Sequence, residues 1–302
     1  MPTGACGIDC DACGLHALGT CSTCGPGRSG EARRKLQAQR RILGAPCPIL
    51  ACAVEQGIDH CSRECASYPC GHFESGPYPF SRAYLEMQER RRREPPPDRK
   101  PSGEAVDVPP EYWDALAGRD MDLLCRNAGA RPNPPDGVLL PFLNEDLLLE
   151  TGARRLLRQR HAGWEPVDHP LLELLCLVYL LNASPSTVRE EMVGVRELRS
   201  AHFFAGPHDL DLRPLADRFG RNVEGFRTAA ERLEGQGVDL ADAAYRFQAF
   251  PKVPLFFLLW AGDPEFPPRV NVLFDRSIED HLAADAIWGL VNLVSRRLLY
   301  GT

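Results

Sequence analysis

Cys6-Gly7-Ile8-Asp9-Cys10-Asp11-Ala12-Cys13 stands near the start of the chain, and its Cys-x3-Cys-x2-Cys spacing decides how the first part is read. Three thiols this close can converge on one ion or cluster without closing a long loop. Working outward, Cys21-x2-Cys24 follows, then Cys47-x4-Cys52, then Cys61-x3-Cys65-x4-Cys70. Ten of the twelve cysteines therefore lie between Cys6 and Cys70, and only Cys125 and Cys176 lie beyond. Such segregation predicts a separate Cys-rich metal-binding module over residues 1–80. Glycine follows Cys6, Cys13, Cys24 and Cys70. At such positions the backbone can turn tightly and bring its amide close to a sulfur.

Zinc and four-iron clusters both accept four thiolates in a roughly tetrahedral array. The candidate ligands are Cys6, Cys10, Cys13, Cys21, Cys24, Cys47, Cys52, Cys61, Cys65 and Cys70, enough for two sites with two thiols left over. His72, two residues after Cys70, can replace one of them. Spacing does not say which cysteines share a site. For zinc speaks Cys21-Ser22-Thr23-Cys24-Gly25, a knuckle-like turn, and the dependence of many small modules on zinc for folding. For iron–sulfur speaks the opening triplet, together with Cys47-Pro48, which is like the Cys-Pro of ferredoxin-type sites. The expectation is one or two iron–sulfur clusters, with zinc as the alternative. The triplet spacing also occurs in radical S-adenosylmethionine enzymes. Here only five residues precede Cys6, and no succession of strand–helix units follows, so that reading is not adopted.

Composition bounds the rest. The 302 residues are 44% hydrophobic and 25% charged, ordinary globular usage. A net charge of −6 supplies no global field for nucleic acid or anionic membrane. The charge is uneven. Residues 1–100 carry 14 basic and 11 acidic residues, net +3, which leaves 21 and 30, net −9, for the remainder. Two parts of different character are expected. Met1-Pro2-Thr3-Gly4-Ala5-Cys6 has neither a basic start nor an apolar stretch. The apolar runs Leu174–Leu181 and Val253–Ala261 are shorter than the ~20 residues a spanning helix needs. A cytoplasmic protein without membrane or specific nucleic-acid partners is expected. In a reducing compartment, dense cysteine argues for metal or redox chemistry over disulfides.

Ser29–Leu43, free of proline and with one glycine, Gly30, suits a helix, and Pro79 to Gln88 a closing one. Residues 81–110 hold Arg90-Arg91-Arg92-Arg93-Glu94-Pro95-Pro96-Pro97 and read as a charged, Pro-rich linker. Residues 111–302 read as a mixed α+β domain with a small antiparallel sheet. Helices are expected over Tyr112–Cys125, Leu171–Leu181, Leu210–Phe219, Val223–Leu233 and Ala284–Leu299. A hairpin is expected over Gly137–Leu149, turning at Asn144-Glu145, with Pro141 forcing an edge position or a bulge. Tyr245–Phe250, Val253–Trp260 and Arg269–Phe274 read as strands.

In that domain His202 and His208 flank Phe203-Phe204-Ala205-Gly206-Pro207, and a loop there can bring both rings to one ligand. Asp263, in the turn Gly262-Asp263-Pro264, is a third candidate for cofactor binding. The competing reading is surface histidines around a turn and a rigid hairpin connection. Cys125 and Cys176 read as small buried residues. The sequence holds no phosphate-binding glycine loop, nucleophile elbow, HExxH or paired-carboxylate motif, so no catalytic residue is assigned.

Cys6-Gly7-Ile8-Asp9-Cys10 to Cys13, Cys47 to Cys52-Ala53-Val54-Glu55-Gln56-Gly57, and Cys61, Cys65 and Tyr68-Pro69-Cys70 resemble an uncharacterised bacterial and archaeal family of small Cys-rich proteins, a domain of unknown function associated with zinc or an iron–sulfur cluster. The Arg-rich spacer between Cys24 and Cys47 departs from it. Thr151-Gly152-Ala153, the Leu171–Leu181 segment, Pro251-Lys252-Val253-Pro254-Leu255, Asp263-Pro264-Glu265-Phe266-Pro267 and Leu273-Phe274-Asp275-Arg276-Ser277 resemble a second domain of unknown function, found in strict anaerobes. That resemblance implies a neighbour of the four-iron cluster domains seen beside corrinoid proteins, a place the Cys-rich module here would take. Together these features predict an iron–sulfur accessory protein serving electron transfer or cofactor handling for a partner enzyme. The alternatives are a structural-zinc interaction protein, and an enzyme or cofactor-binding protein with its pocket in the second domain.

Overall fold

The computed structural model describes residues 3–8, 10, 16, 19, 22–65, 67–74, 80–93, 100, 103–135, 137–160, 163–263 and 265–301. The chain divides into two compact units, Met1–Pro95 and Pro96–Thr302.

In the first unit, α1 (Gly30–Leu43) begins where the Ser29 side chain accepts the Ala32 N–H at 3.0 Å, and it stops at Gly44 with φ 74°. That left-handed residue is the usual way to end a helix. Pro48 sits at the first position of α2 (Pro48–Glu55), where its missing N–H costs nothing. Two single turns follow, α3 (Cys61–Glu64) and α4 (Gly71–Glu74), and then α5 (Arg82–Arg93). The apolar cluster they enclose is small: Ala32 and Leu36 of α1, Ile49, Leu50 and Ala53 of α2, then Cys61, Tyr68, Phe73 and Leu85. A core of this size contributes little, and units like it commonly need a staple. The Pro-rich stretch 94–99 of the expected linker lies outside the described residues, whereas Val106 and Val108 pack against the core of the second unit.

The second unit is mixed α/β, as the sequence predicts, but it carries two five-stranded antiparallel sheets in place of the one small sheet expected. Two helices open it, α6 (Pro110–Ala117) and α7 (Met121–Ala128). The single helix expected over Tyr112–Cys125 is therefore broken. Gly118 ends one segment, and the Asp120 carboxylate accepts the Leu123 N–H at 3.0 Å to start the other.

The first sheet is a meander of β1 (Arg131–Asn133), β2 (Gly137–Phe142), β3 (Glu145–Glu150), β4 (Arg155–Arg160) and β5 (Gly163–Pro166). The hairpin turns at Leu143-Asn144, one residue earlier than expected, with Leu143 at φ 49°. β2 is an inner strand, yet Pro141 keeps an open side, because β1 pairs only as far as Leu139. The sequence reading missed β4 and β5. Arg155-Leu156-Leu157-Arg158-Gln159-Arg160 shows no strict alternation, and β5 is exposed throughout.

After α8 (Pro170–Asn182), the second sheet runs β6-β10-β9-β8-β7, built from Met192–Gly194, Arg269–Asp275, Val253–Trp260, Ala243–Phe250 and Gln236–Gly237. α9 (Arg213–Phe219), α10 (Val223–Arg232) and α11 (Ala284–Tyr300) complete the unit. The near-continuous apolar run Val253-Pro254-Leu255-Phe256-Phe257-Leu258-Leu259-Trp260 is a central strand with buried residues on both faces. α8 is buried through Leu171, Leu172, Leu175, Cys176, Leu177, Tyr179 and Leu180. Each such side chain contributes ~1.5–3 kcal/mol by leaving water. Tyr179 stacks on Phe250 with centroids 4.4 Å apart, and the Leu143 N–H donates to the carbonyls of Gln248 and Ala249, so the two sheets meet beside this helix.

Candidate metal centre

Of the described cysteines, Cys47, Cys61 and Cys65 sit at helix ends of the first unit. Cys47 precedes Pro48 at the start of α2, and its N–H donates at 3.0 Å to the side chain of the buried Gln39. Cys52 lies within α2. Cys61 opens α3 and donates its N–H to Ala5 O at 2.9 Å, which ties the fourth group of cysteines to the first. Cys65 ends α3 by donating to Cys61 O at 3.2 Å, and Cys70 O accepts the Phe73 N–H at 2.8 Å. His60 Nδ1 lies 3.2 Å from Gly4 O, a second tie between the same segments.

Charge holds the loop that carries Cys61. Arg28 pairs with Asp59 at 3.3 Å and with Glu64 at 3.1 Å. Glu64 in turn accepts the N–H groups of Asp59 and His60, each at 3.0 Å. Gly27 lies underneath, where a Cβ would stand 2.1 Å from the Ile58 carbonyl oxygen.

The consequence is a gathering of thiols. Burial pushes the Cys61 thiol up to about 12, and Cys65, Cys52, Cys6 and Cys70 push it the same way. Cys52 is also raised, first by burial and then by Cys65, Cys70 and Glu55. Cys52, Cys61, Cys65 and Cys70, with Cys6, thus share one neighbourhood. Among the described cysteines, Cys10, Cys47, Cys52, Cys61 and Cys70 of the first unit are free thiols. Among the described residues, no three His, Cys, Asp or Glu side chains already stand in a metal-coordinating array. The donor chemistry fits a soft metal nonetheless: thiols that oppose one another's ionisation are relieved by a cation between them. Cys10 is buried, and Cys24 and Cys47 pack at the margin of the same apolar cluster. Cys13 and Cys21 lie outside the described residues.

In the second unit the three candidates go to different surroundings. His202 is exposed on a single 3-10 turn, Ala201–Phe203. His208 is packed as an aromatic, 4.2 Å from the Phe203 ring and 6.3 Å from that of Trp288. The Asp263 carboxylate accepts the N–H groups of Glu265 at 2.8 Å and Phe266 at 2.6 Å, closing its own turn. Asp263 lines a cleft of about 420 Å³ with Gly220, Arg221, Val223, Ala261 and Gly262, and neither histidine borders it.

A polar cluster not anticipated from the sequence lies elsewhere. Lys252 Nζ donates to Ser184 O at 2.9 Å, and the Ser184 N–H donates at 3.4 Å to Nδ1 of His281, which is 1% exposed. Buried Asp275 accepts the N–H of Arg189 at 3.0 Å and both donors of Ser277. The available signal was that Lys252, Asp275 and Ser277 fall within the segments that carry the second family resemblance.

These features define a two-unit mixed α/β protein with a cysteine-rich first unit. Residues 120–297, more than half of the chain, match the family described as Domain of unknown function (DUF3786), and the chain belongs to that family. No curated protein and no solved structure matches it. Among the described residues, no helix is long and apolar enough to cross a membrane.

Proposed function

We propose that the first unit is a thiolate metal centre holding one or two iron–sulfur clusters, and that the protein serves a partner enzyme in electron transfer or cofactor handling. The observation that carries this reading is that Cys61 lies in a small buried core with Cys6, Cys65 and Cys70 packed against it, and that Cys52 acts on Cys61 from nearby. These residues form the first ligand set. Cys10, Cys13, Cys21, Cys24 and Cys47 provide the donors of a second. When bound, an iron–sulfur cluster supplies a reversible one-electron couple. The chain's own part is to hold the thiols at helix ends, to exclude water at Cys61, and to leave Cys52, Cys65 and Cys70 partly exposed, within reach of a partner. The Cys-x3-Cys-x2-Cys triplet and Cys47-Pro48 support iron over zinc.

One observation favours structural zinc instead. Cys61 belongs to the apolar cluster, with Cys6, Cys24, Cys47, Cys65 and Cys70 packed against it. A closed four-thiolate zinc would complete that core and contribute folding energy without chemistry. Metal and sulfide content, with an absorption spectrum of the full chain purified without oxygen, separates the two. Iron, sulfide and a broad band near ~400 nm are expected. Stoichiometric zinc without a visible band would replace the redox reading by the structural one. A chain with neither metal would end both.

A further inference from the structure

Tyr68 lies two residues before Cys70 and is 7% exposed. Its hydroxyl is buried without a hydrogen-bond partner. An orphan of this kind costs ~1–3 kcal/mol, and buried polar atoms in native proteins are generally satisfied. The ring has little freedom to escape. The Tyr68 N–H donates to Cys65 O at 3.3 Å, and the ring meets Phe73 edge-on, centroids 4.9 Å apart and planes at 82°. Cys61 belongs to the same buried cluster as Tyr68, and Cys6, Cys65 and Cys70 pack against that cluster. A neutral thiol accepts hydrogen bonds weakly. A metal-bound thiolate carries negative charge, and donors around it orient it and tune the metal.

Resting on the reading of this unit as a metal centre, we propose that Tyr68, whose buried hydroxyl stands in the cluster that Cys6, Cys65 and Cys70 pack against, is a positioning residue whose O–H donates to a thiolate of the centre once it is loaded. The hydroxyl is then idle in the metal-free chain and engaged in the loaded one. This gives opposite signs for one substitution. Tyr68→Phe removes an unpaired oxygen from the metal-free chain and keeps the ring packed on Phe73. In the loaded chain it removes a hydrogen bond to sulfur.

The test uses the full reduced chain and Zn²⁺ as the probe, titrated against a chromophoric chelator, beside urea unfolding of the metal-free form. For Tyr68→Phe, metal-free stability is expected to be equal to or above wild type, while zinc affinity falls roughly 10–100-fold. Alkylation of the zinc-loaded thiolates by iodoacetamide is expected to be faster, because a donor that withdraws charge from sulfur is gone. Unchanged zinc affinity, or lower metal-free stability from a lost partner, would overturn the role of Tyr68 alone. A wild-type chain that takes up no zinc and, reconstituted with iron and sulfide, no cluster would overturn the metal centre and the tyrosine's role together.

Discussion

Arg297 Nη1 lies 3.1 Å from Glu145 Oε1 and Nη2 lies 3.4 Å from Oε2, so the last helix grips the first residue of β3 with both prongs of its guanidinium. The Arg297 side chain is 4% exposed and that of Glu145 12%. Arg158 of β4 brings its Nε to 3.1 Å from the same carboxylate. One carboxylate thus faces two guanidinium groups, buried Arg297 and half-buried Arg158, and Phe142 lies beneath Arg297 with its ring centroid 5.8 Å away.

Glu145→Ala is expected to destabilise the second unit by ~3–5 kcal/mol, because it leaves the Arg297 guanidinium buried without a counter-charge, with half-buried Arg158 beside it. Urea unfolding followed by tryptophan fluorescence measures this. A loss below ~1 kcal/mol, the level of a surface pair, would mean that the triad is not the joint it looks to be.

Tyr179 joins three segments. Its hydroxyl donates to Ala128 O at 2.7 Å and accepts the Lys252 N–H at 3.2 Å, while its ring stacks on Phe250. Tyr179→Phe keeps the stack and strands two backbone groups, with an expected cost of ~1–3 kcal/mol. Tyr179→Ala adds a cavity, for ~3–5 kcal/mol. Equal losses in the two variants would show that the hydroxyl's hydrogen bonds account for the whole effect and that the ring's packing adds nothing.

Gly27→Ala puts a methyl group where the Ile58 carbonyl stands. The loop bearing Asp59, His60 and Cys61 must then move, and metal retention by the first unit is expected to drop with its stability. Gly57→Ala is the control. That residue has φ 61° but open space around its Cβ position, so only the backbone strain of ~1–2 kcal/mol applies. Metal content of the two variants, measured side by side, checks the contrast.

His281 predicts a pH dependence. Burial holds its imidazole below the ordinary value, Lys252 pushes the same way, and Asp280 and Asp275 oppose them. Its Nε2 is buried without a partner, so a charge there has nothing to meet. The unfolded ring titrates near ~6.5. Between the depressed folded value and about 6.5, the unfolded chain binds more protons, so stability falls as pH drops through that window. Asp275 and Glu279, both lowered in the fold, act in a separate window below ~4. Unfolding at pH 7.5 and 5.5, roughly either side of the ordinary value, should show a smaller difference for His281→Asn than for wild type. Equal differences would rule His281 out as the source.

Periodicity and turn chemistry located the long elements well. The apolar run Leu171–Leu181 became α8, the Val253–Trp260 run a central strand, and the 3.6-residue pattern after Ala284 the final helix. Short and exposed pieces were not legible. β5 has no buried residue to set a pattern, and the break at Gly118 depends on an Asp120 cap that only competes once the helices pack. The same limit hid Lys252, Asp275 and His281, which mean little apart and form one polar cluster together.

The amino-acid sequence by itself determined that this is a two-part chain, with ten of its twelve cysteines in the first part and amphipathic or fully apolar segments building the second. These are local properties, carried by composition and by the spacing of residues a few positions apart. Which thiols meet, Cys61 beside Cys65, Cys52, Cys6 and Cys70, and which charges meet, Glu145 with Arg297, was decided only by the tertiary structure. Cys6 with Cys61, and Glu145 with Arg297, join residues far apart along the chain, and such pairings exist only where burial of the apolar segments closes the intervening loops and brings the partners out of water together.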